Sequence, residues 1–162
     1  MKKNVFVIMV LCACLAGLSS CAFLKKTMNP CGDNPCYSGE DWRIMVESCK
    51  GDRTTNQVTV NVTFTRTANS GQIFPTYKFV DDTGKGVSGE EKAQLRKMDG
   101  TICKGTGTIT AGKSISLYFT AAVSPDAKQI ASLYFCECGG YCGAGKPNYK
   151  MGPINNIPIV WE

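Results

Sequence analysis

The chain has 162 residues with ten cysteines, no histidine and a formal net charge of +5. Its length suits one domain, or one domain with an additional segment, and the missing histidine excludes Ser–His and Cys–His hydrolases and histidine-containing zinc sites. The basic residues are scattered, without a run of five like charges, which argues against a nucleic-acid partner.

The first twenty residues have the pattern of a signal peptide. Lys2 and Lys3 give a positive start, residues 5–18 form an almost unbroken apolar run, and small residues follow. The run is shorter than the about 20 apolar residues that a transmembrane helix needs. Such a pattern is typical of a secretory signal, so residues 1–20 are predicted to direct export.

The end of this segment, Leu18-Ser19-Ser20-Cys21, resembles the lipobox of bacterial lipoproteins. The motif needs cysteine because its sulfur forms the thioether to a diacylglyceryl group. The resemblance implies that Cys21 becomes the first mature residue, lipidated on sulfur and acylated, for example with palmitate, on its amino group. Several acyl chains give stable membrane anchoring. Because Ala22 is not acidic, the resemblance also implies the outer membrane of the cell envelope. An ordinary signal peptide cut after Ala22 is the alternative.

Seven cysteines remain for the exported chain, where an oxidising compartment favours disulfides. They are Cys31, Cys36, Cys49, Cys103, Cys136, Cys138 and Cys142. An odd number allows at most three bridges and leaves one thiol over or pairs it between molecules. Cys31 and Cys36 are placed to close a small loop. Cys49 and Cys103 lie near predicted strand ends and are candidates for a longer-range bridge.

The C-terminal cysteines also support an alternative interpretation. Cys136, Cys138 and Cys142 lie close together in a glycine-rich segment, and soft thiolates at this spacing could bind copper(I) or zinc. The chain has no Cys-x-x-Cys pair, so zinc-ribbon and thioredoxin signatures are absent. Disulfides remain the favoured prediction, with no metal or cofactor. A thiol-redox or metal-handling protein is the alternative function.

Period-2 alternation of apolar side chains predicts strands in the first half of the chain. A strand over 42–46 precedes a turn at 50–53. Residues 58–65 form the clearest strand, with valine and phenylalanine on one face and mostly threonine on the other. Residues 73–80 are also strand-like, and Pro75 indicates an edge or a bulge.

The second half predicts more strands and one short helix. Ser88 and Glu91 form a capping box, so residues 89–98 are predicted to be helical. The remaining predicted elements are a turn at 81–86, a strand over 115–120, a turn at 124–126, a strand over 130–135, a cysteine loop over 136–145 and a last strand over 157–161.

Six to seven short strands with at most one short helix predict an all-β, antiparallel β-sandwich with disulfide-stapled loops. Residues 41–135 resemble the immunoglobulin-like sandwich domains of uncharacterised bacterial envelope lipoproteins. The resemblance lies in the threonine/valine strand 57–67, the Asp-Asp-Thr-Gly turn at 81–84 and the Ala-Gly-Lys-Ser segment at 111–114. It implies a fold and carries no activity.

The chain is therefore predicted to contain three parts. Residues 1–20 are a lipoprotein signal peptide, residues 21–40 a lipidated tether with a cysteine loop, and residues 41–162 the β-sandwich domain. The segment Gly107 to Ser114 matches the phosphate-loop pattern, but the alternation that follows it predicts a turn entering a strand where phosphate binding needs a helix.

No residue set with the pattern of a catalytic site stands out in this sequence. Four tyrosines, Tyr118, Tyr134, Tyr141 and Tyr149, could line a binding surface, although ordinary packing is the favoured interpretation. The sequence thus predicts a non-catalytic binding or assembly module. It would be held at the membrane by its lipid anchor and would present loops or an edge strand to an envelope protein.

Overall fold

A computed structural model of the protein describes residues 31–71, 76–87, 94–136 and 149–162. Every regular element in these ranges is a strand, and none is a helix that could cross a membrane. The strands are β1 (Cys36–Ser38), β2 (Trp42–Asp52), β3 (Gln57–Arg66), β4 (Tyr77–Asp81), β5 (Gly86–Val87), β6 (Arg96–Lys97), β7 (Ser114–Ala122), β8 (Gln129–Phe135), β9 (Met151–Pro158) and β10 (Val160–Trp161). The predicted signal peptide and Cys21 lie outside the described residues.

Two sheets form an immunoglobulin-like sandwich within residues 34–162. The larger sheet has the order β1-β2-β3-β7-β6, and the smaller one has the order β5-β4-β8-β9. All pairs are antiparallel except β10, which lies parallel to β2. Placing β2, β3, β7 and β6 in one sheet and β4, β8 and β9 in the other reproduces the Greek-key arrangement of such domains. The predicted fold class is confirmed, but the described residues form ten strands where six to seven were predicted, because four strands have only two or three residues.

The alternation that predicted β3 also builds the core. Val58, Val60, Val62 and Phe64 are fully buried, while the residues between them lie on the solvent side. β-Branched residues suit this pleated geometry because their restricted χ1 rotamers fit a strand. The buried side chains of both sheets form one hydrophobic cluster.

Aromatic pairs join the two sheets across the core. Phe64 of β3 meets Phe135 of β8 edge-to-face, with ring centroids 4.9 Å apart. Tyr77 of β4 stacks on Phe119 of β7 at 3.8 Å. Contacts of this kind stabilise a fold beyond their area burial. The strands that carry the solvent face of the larger sheet are thus fixed to the smaller sheet.

A β-bulge in β2 makes the turn predicted at 50–53 wrong. The register against β3 shifts between Val46 and Ser48, so the inward-facing positions change from even to odd numbers. Cys49 and Gly51 become buried, and the strand continues to Asp52. The bulge breaks the period-2 pattern, which is why the alternation in the sequence ends too early.

The helix predicted over 89–98 is wrong where the structure describes it. Arg96 and Lys97 form β6 and pair with Tyr118 and Leu117 of β7. Residues 88–93 lie outside the described part. The segment has few apolar residues at helical spacing, and the backbones of Arg96 and Lys97 pair with β7 instead.

The last predicted strand, over 157–161, is divided between the two sheets. β9 already begins at Met151 and pairs with β8, whereas β10 crosses over to β2. Inward-facing residues of β9 recur every third position, at Met151, Ile154 and Ile157, because positive φ angles at Gly152 and Asn156 interrupt the pleat. Period-2 analysis therefore misses the start of β9.

Candidate binding face

The solvent-facing side of the larger sheet forms an ordered polar surface, which we call the outer face. It follows from the alternation that buries the opposite side of β2, β3 and β7. The strand register arranges it in rows across the sheet. Its residues are Arg43, Met45, Ser48 and Lys50 of β2, Thr59, Asn61, Thr63 and Thr65 of β3, Ser114, Ser116, Tyr118 and Thr120 of β7, and Arg96 of β6.

Hydroxyl groups of β3 and β7 pair directly across the outer face. The oxygen–oxygen distances are 2.8 Å for Thr65–Ser114, 3.1 Å for Thr63–Ser116 and 3.5 Å for Thr59–Thr120. Cross-strand pairs of this kind hold side chains in place. A hydroxyl has one donor and two acceptor sites, so each pair keeps capacity for a further hydrogen bond. The face therefore offers donors and acceptors at fixed positions.

The central row of the outer face contains four different side chains, one from each strand. Ser48, Asn61, Tyr118 and Arg96 lie side by side on β2, β3, β7 and β6. Asn61 Nδ2 donates to Ser48 Oγ at 2.8 Å, and Arg96 Nη1 donates to the Gly100 carbonyl oxygen at 2.8 Å. A half-exposed aromatic ring thus stands between an amide and a guanidinium group.

The predicted tyrosine set does not assemble on one surface. Tyr118 lies on the outer face, whereas Tyr134 belongs to β8 of the smaller sheet, where Lys78 Nζ lies 5.5 Å from its ring centroid. Tyr141 lies outside the described residues. Tyr149 is partly buried and lies two residues before β9 of the smaller sheet. Tyr118 is therefore the member of the set that lies on the outer face.

Two open grooves border one end of the outer face. They have volumes of about 320 Å³ and 340 Å³, and Gln57 and Thr120 line both. The first is completed by Gln94, Arg96, Ile102, Ala121 and Ala122. The second is completed by Lys50, Gly51, Asp52, Thr55, Thr59 and Glu162. Polar contacts at this end can therefore continue from the flat face into a recess.

The charges beside the second groove are partnered within the protein. Lys50 Nζ pairs with Glu162 Oε1, and both side chains are exposed. Asp52 accepts hydrogen bonds from Thr54 N at 2.7 Å and Thr55 Oγ1 at 2.8 Å. The bonds from Thr55 and Thr54 lower the pKa of Asp52 below its ordinary value. This groove thus carries both signs of charge.

No protein-family model matches the chain, and no curated protein matches its sequence. Immunoglobulin-like sandwiches host many unrelated functions, so the fold by itself names no activity. What the domain does has to be inferred from the chemistry of its own residues.

The buried charged residues hold the fold together. Asp81, at the end of β4, accepts hydrogen bonds from Thr83, Lys85 and Ser124 at 2.7–3.0 Å. Burial raises the pKa of this carboxyl, but the hydrogen bonds outweigh burial and leave the pKa below its ordinary value. Such an ionised, saturated carboxylate connects loops and is poorly suited to proton transfer.

Arg66 also has a structural role. It is the last residue of β3, whereas the two grooves lie beside the first residue of this strand, Gln57. Its guanidinium carbon lies 4.7 Å from the Trp42 ring centroid, and its Nη2 lies 3.3 Å from Asp41 Oδ1. A Cβ at Gly71 would lie 2.8 Å from the same guanidinium carbon. The cation is therefore enclosed by an indole, a carboxylate and a close backbone segment.

The predicted cysteine pairs have different outcomes. Cys31 and Cys36 are disulfide-bonded and form the predicted small loop. The predicted bridge between Cys49 and Cys103 is wrong, because both are buried free thiols. Cys49 lies on β2, whereas Cys103 pairs with Leu95 beside β6. Three strand spacings of about 4.8 Å separate β2 from β6, whereas a disulfide needs Cα atoms within about 7 Å.

The C-terminal cysteine cluster is described only at its first member. Cys136 is buried directly after β8, and its backbone N–H donates to the Thr76 carbonyl oxygen at 3.1 Å. Cys138 and Cys142 lie outside the described residues. Within the described ranges, no three Cys, Asp or Glu side chains come together as a metal site would require.

The phosphate-loop pattern has the local structure that the alternation predicts. Lys113 N donates to the Thr110 carbonyl oxygen at 3.0 Å, which closes a turn, and Ser114 begins β7. A phosphate loop needs a helix at this point, because its free N–H groups bind the anion. The segment 107–114 is thus the entry to a strand.

Proposed function

We propose that the protein is a bacterial envelope lipoprotein, anchored in the outer membrane through Cys21, whose sandwich is a non-catalytic binding or assembly module. The outer face is the surface that binds an envelope protein. The observation that carries this proposal is the set of cross-strand hydroxyl pairs between β3 and β7. These groups are ordered before any partner arrives, so binding them costs little additional conformational entropy.

The dimensions of the outer face support a protein partner. Strands β2, β3 and β7 have nine to eleven residues each. With strands about 4.8 Å apart and a rise of about 3.4 Å per residue, they cover roughly 500 Å², and the two residues of β6 add little. A standard interface buries about 800 Å² on each partner. The second groove, which Lys50 and Glu162 help to line, extends the face towards this size. A partner that covers the face and enters a groove would bury enough area for a specific complex.

The sheet edges are less suited to binding by strand addition. β9 is the long edge strand of the smaller sheet, and Pro153 and Pro158 deprive it of two backbone donors. The other edge strands in the described ranges are β1, β5, β6 and β10, each of two or three residues. These features favour the flat face over an edge strand as the contact surface.

The thiol-redox alternative gains no support from the two free thiols. Cys49 and Cys103 are buried in the core, and burial raises the pKa of Cys49 to about 12. A thiol needs exposure and thiolate character to react. Binding therefore remains the function we propose, with thiol chemistry confined to the segment that contains Cys138 and Cys142.

The anchor can be tested by comparing Cys21→Ser with Cys14→Ser in the producing bacterium. Cys14 lies in the signal peptide outside the lipobox pattern, so its substitution is a matched control. We expect wild type and Cys14→Ser to remain with the membrane and to carry the mass of attached lipid. Cys21→Ser should lose both properties. Equal retention and mass for all three proteins would overturn the lipoprotein assignment.

The partner surface can be tested with a photoreactive amino acid placed at single positions in living cells. Thr63 and Ser116 report on the outer face, and Ser132 and Asn155 on the solvent side of the smaller sheet are controls. We expect a reproducible cross-link to one envelope protein from the first two positions alone. Cross-links from the control positions only, or from no position, would contradict the proposed face.

A further inference from the structure

Strand β6 is one arm of a β-hairpin whose returning residues, 101–103, cover its open edge. Lys97 N donates to the Thr101 carbonyl oxygen at 2.9 Å, and Cys103 N donates to the Leu95 carbonyl oxygen at 3.0 Å. Leu95 and Cys103 are buried, so the base of the hairpin is part of the core. Gly100 N donates back to the Lys97 carbonyl oxygen at 2.9 Å and closes the turn. We call residues 95–104 the edge hairpin.

The edge hairpin displays large apolar side chains to solvent. Met98 is 63% exposed and Ile102 is 43% exposed. Within the described ranges, the other large hydrophobic side chain exposed to a similar degree is Val160, at 61%. Single exposed apolar residues are ordinary, whereas two on one short hairpin, Met98 in the turn and Ile102 opposite Arg96, form a local apolar patch.

The same hairpin carries several basic side chains. Arg96, Lys97 and Lys104 are all exposed. Asp99 is the acidic residue of the hairpin, and its Oδ1 accepts hydrogen bonds from Thr101 N at 2.9 Å and Thr101 Oγ1 at 2.7 Å. Asp99 keeps its negative charge, so the three basic side chains leave the hairpin with a net charge of +2.

We propose that the edge hairpin is a membrane-contact element that binds an anionic bilayer surface. Met98 and Ile102 insert between the lipid headgroups, while Arg96, Lys97 and Lys104 lie at the level of the lipid phosphates. This division of apolar and basic side chains is the one that interfacial membrane segments use. Juxtamembrane lysine and arginine are attracted by the negative potential of anionic lipids.

A bilayer fits the edge hairpin better than a protein does. Two apolar side chains fall far below the about 800 Å² that a specific protein interface buries on each partner. A membrane contact can be much weaker, because an anchor at Cys21 would hold the hairpin at high effective concentration. This step rests on the proposed lipoprotein function.

The length of chain before the sandwich permits this contact. The disulfide ties Cys31 to the start of β1, and residues 21–31 can span at most about 40 Å when fully extended. The larger sheet is only about 19 Å wide from β1 to β6, since neighbouring strands lie about 4.8 Å apart. An anchor at Cys21 therefore does not prevent the β6 edge from reaching the bilayer.

The contact can be measured by hydrogen exchange on the mature chain, purified in detergent and reconstituted into vesicles. One set of vesicles contains phosphatidylcholine alone, and the other also contains phosphatidylglycerol. We expect the amides of residues 97–102 to exchange at least about fivefold more slowly on the anionic vesicles. The turn at 82–85 is the internal reference and should exchange equally on both.

Matched variants identify the side chains responsible. Met98→Ser combined with Ile102→Ser should abolish the difference between the two vesicle types, whereas Val160→Ser should retain it. Equal exchange of wild-type residues 97–102 on both vesicles would overturn the proposal. Protection that appears only together with a co-purifying protein would overturn it in favour of a protein site.

Failure of the anchor can be distinguished from failure of the hairpin. A chain without lipid at Cys21 would not stay with phosphatidylcholine vesicles, whatever the hairpin does. In that case, co-sedimentation with the anionic vesicles measures the hairpin alone. We expect it to fall several-fold in the Met98→Ser/Ile102→Ser variant, and equal co-sedimentation of variant and wild type would overturn the membrane contact.

Discussion

Asp81 Oδ2 accepts a hydrogen bond of 2.9 Å from the backbone N–H of Ser124, 43 residues further along the chain. Its Oδ1 accepts from Thr83 and Lys85 in the turn after β4. Lys85 Nζ in turn donates to the Val123 carbonyl oxygen at 3.0 Å. One buried carboxylate thus joins the β4–β5 turn of the smaller sheet to the end of β7, which carries the outer face.

Replacing this carboxylate should weaken the whole domain. Asp81→Asn keeps the size of the side chain but presents an amide donor to backbone donors. We expect the free energy of unfolding to fall by about 2–4 kcal/mol, because buried donors lose a charged acceptor. Urea unfolding measures the loss. Asp82→Asn is the control, since exposed Asp82 receives only the Lys128 N–H, and it should cost less than about 1 kcal/mol. Equal losses in the two variants would contradict this assignment.

The carboxylate of Asp81 should also make the free energy of unfolding depend on pH in the acidic range. The hydrogen bonds to Asp81 hold its pKa in the folded protein below the unfolded value, although burial alone would raise it. Its contribution is therefore complete above about pH 4, the ordinary range of an unfolded aspartate, and is lost as the pH falls through the folded pKa. We expect the urea midpoint to fall from about pH 5 to about pH 2. The fall should be shallower in Asp81→Asn, and parallel curves would count against this explanation.

The sequence predicts those strands whose buried face can be recognised from the alternation of adjacent residues. Strand β3 is an example, because Val58, Val60 and Val62 all point to one side at the expected period. The second half of β2 could not be predicted, since the bulge after Val46 changes which side chains face inward. Strand β6 depends on Tyr118 and Leu117, which lie about twenty residues away and become partners only in the fold.

The candidate surfaces, like the strands, could be predicted only where the pattern lies within one stretch of sequence. The threonines of β3 are visible in the sequence as a polar face, but the partners of Thr63 and Thr65 depend on the register with β7. The disulfide of Cys31 and Cys36 could be predicted because the loop between them is short. The separation of Cys49 from Cys103 follows from strand order, which spacing along the chain does not encode.

Cys49 should be unreactive until the domain unfolds. Its thiol is buried on β2, and burial raises its pKa to about 12. The thiolate fraction at neutral pH is then roughly three orders of magnitude lower than for an ordinary cysteine. We expect iodoacetamide to leave Cys49 unmodified in the native protein and to modify it fully above the urea midpoint, as peptide mass spectrometry can measure. Rapid modification of the native protein would contradict the buried assignment and would revive the thiol-redox alternative.

The pairing of β10 with β2 should require glycine at position 51. A Cβ on Gly51 would lie 2.5 Å from Trp161 Cε3. The indole cannot easily retreat, because Nε1 donates to the Ala127 carbonyl oxygen at 2.9 Å and the Arg53 guanidinium carbon lies 5.0 Å from the ring centroid. Gly51→Ala should therefore displace Trp161 and detach β10 from β2, at a cost of about 1–3 kcal/mol.

Three measurements test this displacement together. Urea unfolding gives the lost stability, the tryptophan emission should shift to longer wavelength as Trp161 enters water, and carboxypeptidase should release the last residues faster. Gly105→Ala is the matched control, because a Cβ there meets no atom within 4 Å. Its stability and emission should equal those of the wild type. If Gly51→Ala also behaves like the wild type, Trp161 has room to move and β10 is not held by this contact. If it shows all three changes, the end of the chain is a structural part of the sandwich, and the Lys50–Glu162 pair beside the second groove depends on it.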